Sequence, residues 1–200
     1  MKRRFVNFFV AILLLAVASG CGTTVERMDV NSTKDLSGKW NDTDSRLVST
    51  ETITQALEGG WLKKFRRNEK RDPVVIVGVV KNKSHEHINV ETFVKDLERA
   101  LVNSGEVEFV ASKDERAEIR EERREQASHS STDTAKQEGE EVGADFMLSG
   151  TINTIMDKIG GKHVMFYQIN LELIHIETHK KVWIGDKKIK KFVKRSRVRF

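Results

Sequence analysis

The sequence predicts a single α/β sandwich: a mixed sheet with helices packed on one side, ending in an antiparallel β-meander. Three observations predict it. Residues 74–80 form an almost unbroken β-branched run between segments of helical periodicity, as a strand buried on both faces requires. Residues 163–176 alternate, with Met165, Tyr167, Ile169, Leu171 and Leu173 falling on one face. The resulting order α-β-α-β-α-β-β-β places crossover helices between the early strands and hairpins between the late ones.

The chain opens on Met1-Lys2-Arg3-Arg4, a positive stretch, followed by an apolar run over residues 5–18 that only Asn7 interrupts. This reads as a secretory signal over residues 1–20, too short for the roughly 20 apolar residues of a permanent span. Ala18-Ser19-Gly20 supplies small residues before Cys21 and is similar to a lipobox, with Ala18 where that motif more often has Leu. Cys21 is therefore expected to carry the lipid and to become the mature N-terminus. It is the one cysteine of the chain, so the mature protein is expected to hold no disulfide. The residue that follows, Gly22, is not the Asp of an inner-membrane retention signal, and an outer-membrane anchor facing the periplasm is expected.

Residues 21–44 are small and polar and read as a short tether, with an r.m.s. span of roughly 25–30 Å. Trp40 is expected to dock on the domain, which is taken to run over residues 45–194. The first helix is expected over residues 45–70, with Leu47, Ile53, Leu57, Trp61 and Phe65 on one face and Gly59-Gly60 weakening its middle. Asp72-Pro73 ends it ahead of the strand at residues 74–80. The loop over residues 81–87 leads to a second helix near residues 90–104, with Phe93, Leu97 and Leu101 four apart and Gly105 placed to stop it. A short strand at residues 107–110 precedes a capping box, Ser112 with Glu115, that opens a charged third helix over residues 113–126. A short helix is expected around residues 135–142. Strands at residues 146–156 and 163–176 flank a turn at residues 157–162, and a turn at residues 177–181 leads to Val182-Trp183-Ile184.

Charge is uneven. Residues 187–200 carry eight cations and no acid, a charge of +8, which leaves −3 for the rest of a chain whose net charge is +5. The basicity belongs to this segment, whose end at residues 195–200 reads as a basic tail, and points to a local anionic contact. An exported chain does not meet nucleic acid. The sequence holds no nucleophile elbow, H-E-x-x-H, dinucleotide fingerprint or P-loop, and no Ser followed three residues later by Lys, so catalysis is not expected. His85-Glu86-His87 has two imidazoles that can share a metal, but no third or fourth ligand stands at a usual spacing. A polar loop is the expected reading, without metal or cofactor.

The segment Asn82-Lys83-Ser84-His85-Glu86-His87-Ile88-Asn89-Val90-Glu91, together with Leu97 to Gly105 and Phe109, resembles the lipoprotein activators of penicillin-binding proteins of the LpoB type. Gly143-Ala144-Asp145-Phe146-Met147-Leu148-Ser149-Gly150, Tyr167 to Leu173 and Val182-Trp183-Ile184-Gly185 are similar to strands of the same family. The resemblance covers roughly residues 21 to 195. It implies a domain like the N-terminal domain of TolB and a non-catalytic outer-membrane lipoprotein that stimulates a bifunctional peptidoglycan synthase. The tether here is short and free of proline, unlike the long Pro-rich tether of the best-known members. The docking surface is expected to involve the loop residues Asn82, His85 and His87 and the basic residues Lys188 and Lys191. Two other readings are a structural or transport lipoprotein related to curli-secretion proteins and a wall- or lipopolysaccharide-binding module.

Overall fold

The computed structural model describes residues 23–131 and 141–194. The chain divides into two compact units, with the second beginning at Thr33; the described residues before it, 23–32, hold no helix or strand. The second unit holds four described helices, α1 (Asp42–Glu58), α2 (Gly60–Glu69), α3 (Val90–Ser104) and α4 (Lys113–His129), and five strands: β1 (Val74–Asn82), β2 (Glu108–Phe109), β3 (Phe146–Ile159), β4 (Lys162–His175) and β5 (Lys181–Lys194). The sheet order is β2-β1-β3-β4-β5. Strand β1 runs parallel to β2 and β3, whereas β3, β4 and β5 form the antiparallel meander. The expected mixed α/β architecture with helices on one side is the observed one.

The core lies between the helices and one face of the meander. Met165, Tyr167, Ile169, Leu171 and Leu173 of β4 are each at most 2% exposed, and Phe93, Leu97 and Leu101 of α3 at most 3%. Burying each such side chain contributes roughly 1.5–3 kcal/mol, so these two rows alone outweigh any surface ion pair. The α3 stripe meets the sheet at the expected four-residue spacing. Asn89 caps that helix by accepting from the Glu91 amide at 3.1 Å, and it ends at Gly105.

Several elements differ from the expectation. The first helix is two helices, because Gly59 takes an extended conformation and ends α1 while serving as N-cap of α2. The buried face of α1 is Val48, Ser49, Thr52, Ile53 and Ala56, whereas Leu47 is half exposed. Small residues let this helix sit close to α3 and β5, and that close approach decides the face more than the largest apolar side chain does. The strand β2 spans only two residues. Helix α4 starts at its predicted capping box, in which Ser112 and Glu115 exchange both hydrogen bonds, and it has no buried residue. The helix expected around residues 135–142 falls mostly outside the described residues; of it, residues 141–142 are not helical.

The largest correction concerns the basic segment. Residues 187–194 are part of the 14-residue strand β5, paired along its length with β4. The turn between β3 and β4 tightens to Gly160-Gly161, both with positive φ (52° and 78°), which only glycine adopts at low cost and which suits a hairpin. A further difference lies at the other end. The segment taken as the end of a tether packs against the meander, with Gly38 buried beside Met165 and Val193, whereas Trp40 docks on the domain as expected, edge-on to Phe93 and Tyr167.

Candidate functional site

The loop after β1 is built by its own polar side chains. The Asn82 amide donates to the Glu86 carbonyl at 2.8 Å, and its Oδ1 accepts from the Ser84 amide at 2.9 Å. Ser84 Oγ donates to the same Glu86 carbonyl and accepts from the Glu86 amide, each at 3.1 Å. The His85 amide reaches Thr154 Oγ1 of β3 at 3.3 Å. Short side chains that satisfy nearby backbone groups fold such a loop without a core of its own.

This folding sorts the three residues of the His-Glu-His sequence. The Glu86 carboxylate turns inward, where it accepts from the Trp40 amide at 3.1 Å and from the Tyr167 hydroxyl at 2.9 Å. His85 and His87 are exposed on either side of it. Glu86 is therefore a structural anchor between the N-terminal segment and β4, and Asn82 is the loop's organiser rather than a free contact. Among the described residues no three His, Cys, Asp or Glu side chains gather in a way that suits a metal.

Strand β5 sorts its lysines by alternation. Lys187 and Lys191 lie on the helix side. Lys187 pairs with Glu51 of α1. Lys191 is 10% exposed and holds Asp44 at 2.6 Å and Asp35 at 2.9 Å. Burial acts to lower the Lys191 pKa, but its hydrogen bonds to the two carboxylates outweigh this and raise it. Lys191 is thus an internal clamp and not, as the sequence suggested, a group presented to a partner. Lys188 faces the other way, 56% exposed, with Asp186 at 3.0 Å. Cys21 and the basic tail at residues 195–200 lie outside the described residues.

Two surfaces escaped sequence reasoning. One is an open groove of about 790 Å³ between α3 and α4, lined by Val102, Phe109 and Ile119 among charged neighbours. The other is the face of the meander turned away from the helices, where Ile155 and Phe192 are 66% and 65% exposed. Its signal was present in the alternation of β4, whose outer positions Val164 and Phe166 are as apolar as the inner ones are. None of these surfaces assembles a nucleophile with a base. The arrangement offers contact surfaces for binding.

Among the described residues no helix is long and apolar enough to cross a membrane. No curated protein matches the sequence. Among solved structures, the LpoB C-terminal domain from Salmonella enterica is 14% identical with a TM-score of 0.44, covering 74% of this chain and 99% of that one. The same domain from Escherichia coli is 16% identical at the same TM-score and coverage. Lipoprotein GNA1162 from Neisseria meningitidis is 14% identical with a TM-score of 0.39, covering 63% of this chain and 88% of that one. The family model described as the peptidoglycan-synthase activator LpoB matches residues 44–189, from the first turn of α1 into the second half of β5. The chain belongs to the LpoB family of peptidoglycan-synthase activators.

Proposed function

We propose that this protein is a non-catalytic outer-membrane lipoprotein, anchored through Cys21, that binds a bifunctional penicillin-binding protein and stimulates its polymerising and crosslinking activities. The observation that carries this reading is the family match over residues 44–189, which includes β3, β4, the first nine residues of β5 and the Asn82 to His87 loop. The activator supplies no chemistry. Its binding energy favours the active conformation of the synthase, and the stimulation can be no larger than the difference in affinity for the two conformations. His85, His87 and Lys188 are the exposed members of the expected contact set. The lipid anchor and the periplasmic address follow from the signal, Cys21 and Gly22.

The test is a pull-down from detergent-solubilised envelopes with residues 22–200 as bait, washed at moderate salt. Retention of a bifunctional synthase is the expected result. Retention of glycan or lipopolysaccharide instead, released at high ionic strength, would replace the activator reading with a wall-binding one.

A further inference from the structure

Strand β1 ends at Asn82, opposite Ile152, so β3, β4 and β5 continue beyond it as a three-stranded ribbon. One face of this ribbon is covered. Gly38 and Trp40 lie over Met165 and Tyr167, and Lys191 donates to the Lys39 carbonyl at 3.2 Å. The opposite face is not covered by any described helix. On it, Ile155 pairs across the sheet with Phe166, and Val164 pairs with Phe192. These two cross-strand pairs are adjacent on the same face, and Ile159, 79% exposed, extends them towards the hairpin turn. Isolated exposed apolar residues are ordinary on a soluble domain, but a contiguous cluster with two phenylalanines marks a contact surface.

The rim of the cluster is basic. Lys190 stands opposite Phe166, Lys194 opposite Lys162, and Lys188 opposite Gln168. Among the described residues Lys162, Lys190 and Lys194 enter no ion pair; the acids on this side of the meander are Asp157, Asp186, held by Lys188, and, farther along, Glu172, held by Lys181. We propose that this open ribbon face docks a protein whose contact surface has an apolar centre and an acidic rim, and that this protein is the synthase. The assignment of the synthase rests on the function proposed above. Charge complementarity selects the occupant. A second copy of the chain would set lysines against lysines. A bilayer with anionic head groups would satisfy the lysines but would press Asp157, which lies inside the cluster opposite Val164, against lipid phosphate. A protein partner can place carboxylates around the rim and a donor at Asp157. An apolar centre sealed by a polar rim is also the usual anatomy of a binding hot spot.

The experiment measures binding of residues 22–200 to the purified bifunctional synthase of the same organism by surface plasmon resonance. The wild-type domain is compared with the I155S/F192S and K190E/K194E variants. All four positions are on the open face, so the variants are expected to melt like wild type. The account predicts at least about a tenfold loss of affinity for the serine pair. It predicts slower association and a weakened or reversed salt dependence for the glutamate pair. If wild type binds and both variants bind equally well, the docking face is elsewhere while the activator reading stands. If wild type itself does not bind, the activator reading falls and this assignment falls with it. If the variants keep the synthase but lose phosphatidylglycerol vesicles that wild type retains, the face is a membrane surface and the protein assignment is overturned.

Discussion

Lys191 Nζ lies 2.6 Å from an Asp44 carboxylate oxygen, with the two side chains only 10% and 6% exposed. The pair ties the edge strand β5 to the first turn of α1, and Asp35 adds a second carboxylate from the preceding segment. Burial raises the Asp44 carboxyl above its ordinary value, against the lowering effect of the Lys191 hydrogen bond. Replacing Lys191 by Met leaves that carboxylate buried without its cation, and the expected cost is about 3 kcal/mol at neutral pH. The sign of its pH dependence follows. Without Lys191, the folded-state pKa of Asp44 rises further, so protonation favours the folded state and the deficit shrinks as pH falls. Urea unfolding of wild type and K191M at neutral and mildly acid pH measures both effects. A deficit that stays constant or grows towards acid would contradict this placement of the pair.

Tyr167 is the sole tyrosine of the chain, so its ionisation can be read from the alkaline absorbance without overlap. Burial, followed by the hydrogen bond to and charge of Glu86, pushes its phenol above the ordinary value of 10.0. An acid whose folded pKa is raised contributes stability that is fully present below its unfolded value and is lost as pH rises above it. Tyrosinate absorbance is therefore expected to be absent at about one unit above the free phenol value and to appear only together with unfolding. A gradual titration near the free value, in a domain that is still folded, would show that the hydroxyl is not enclosed between Glu86 and the Gly38 carbonyl.

Gly150 of β3 stands opposite Leu171. A Cβ there would meet the Asn170 carbonyl oxygen and lie 2.6 Å from Leu171 Cδ2. Gly150→Ala is expected to destabilise the domain by about 1–3 kcal/mol through this overlap, measured by thermal or urea unfolding. An unchanged midpoint would mean that β3 and β4 lie farther apart at this point than the register places them.

The proposed signal and lipid anchor rest on the sequence of residues 1–22, and Cys21→Ser tests them in cells. The account predicts loss of radiolabelled palmitate and a shift of the protein from the membrane to the soluble or uncleaved fraction. Palmitate incorporation that survives the substitution would remove Cys21 from the role.

Periodicity was enough to read the meander, α3 and the Ser112–Glu115 box, because each depends on neighbours close in sequence or on a repeat of constant phase. The role of the lysines was not readable in this way. Eight cations over residues 187–200 look like a solvated tail when counted along the chain, yet pairing with β4 turns Lys187 and Lys191 inward and Lys188 and Lys190 outward. The acids that receive Lys187 and Lys191 lie far away in sequence, and two of them, Asp35 and Asp44, sit in a stretch whose small polar composition reads as tether. Glu86 shows the same limit. Between two histidines it reads as one more residue of a polar loop, and only the approach of Tyr167 and Trp40 reveals it as an anchor. The split at Gly59 was half visible: the glycine pair weakened the helix on paper, but its extended backbone is a property of the packed structure.

The most direct test of the central claim is the rate of glycan-chain polymerisation by the purified bifunctional synthase of the same organism, measured on lipid-linked precursor with and without residues 22–200. The account predicts a saturable increase in rate that follows occupancy of the synthase and is lost in the I155S/F192S variant. An unchanged rate at full occupancy would contradict the claim that this member of the family activates the enzyme it binds.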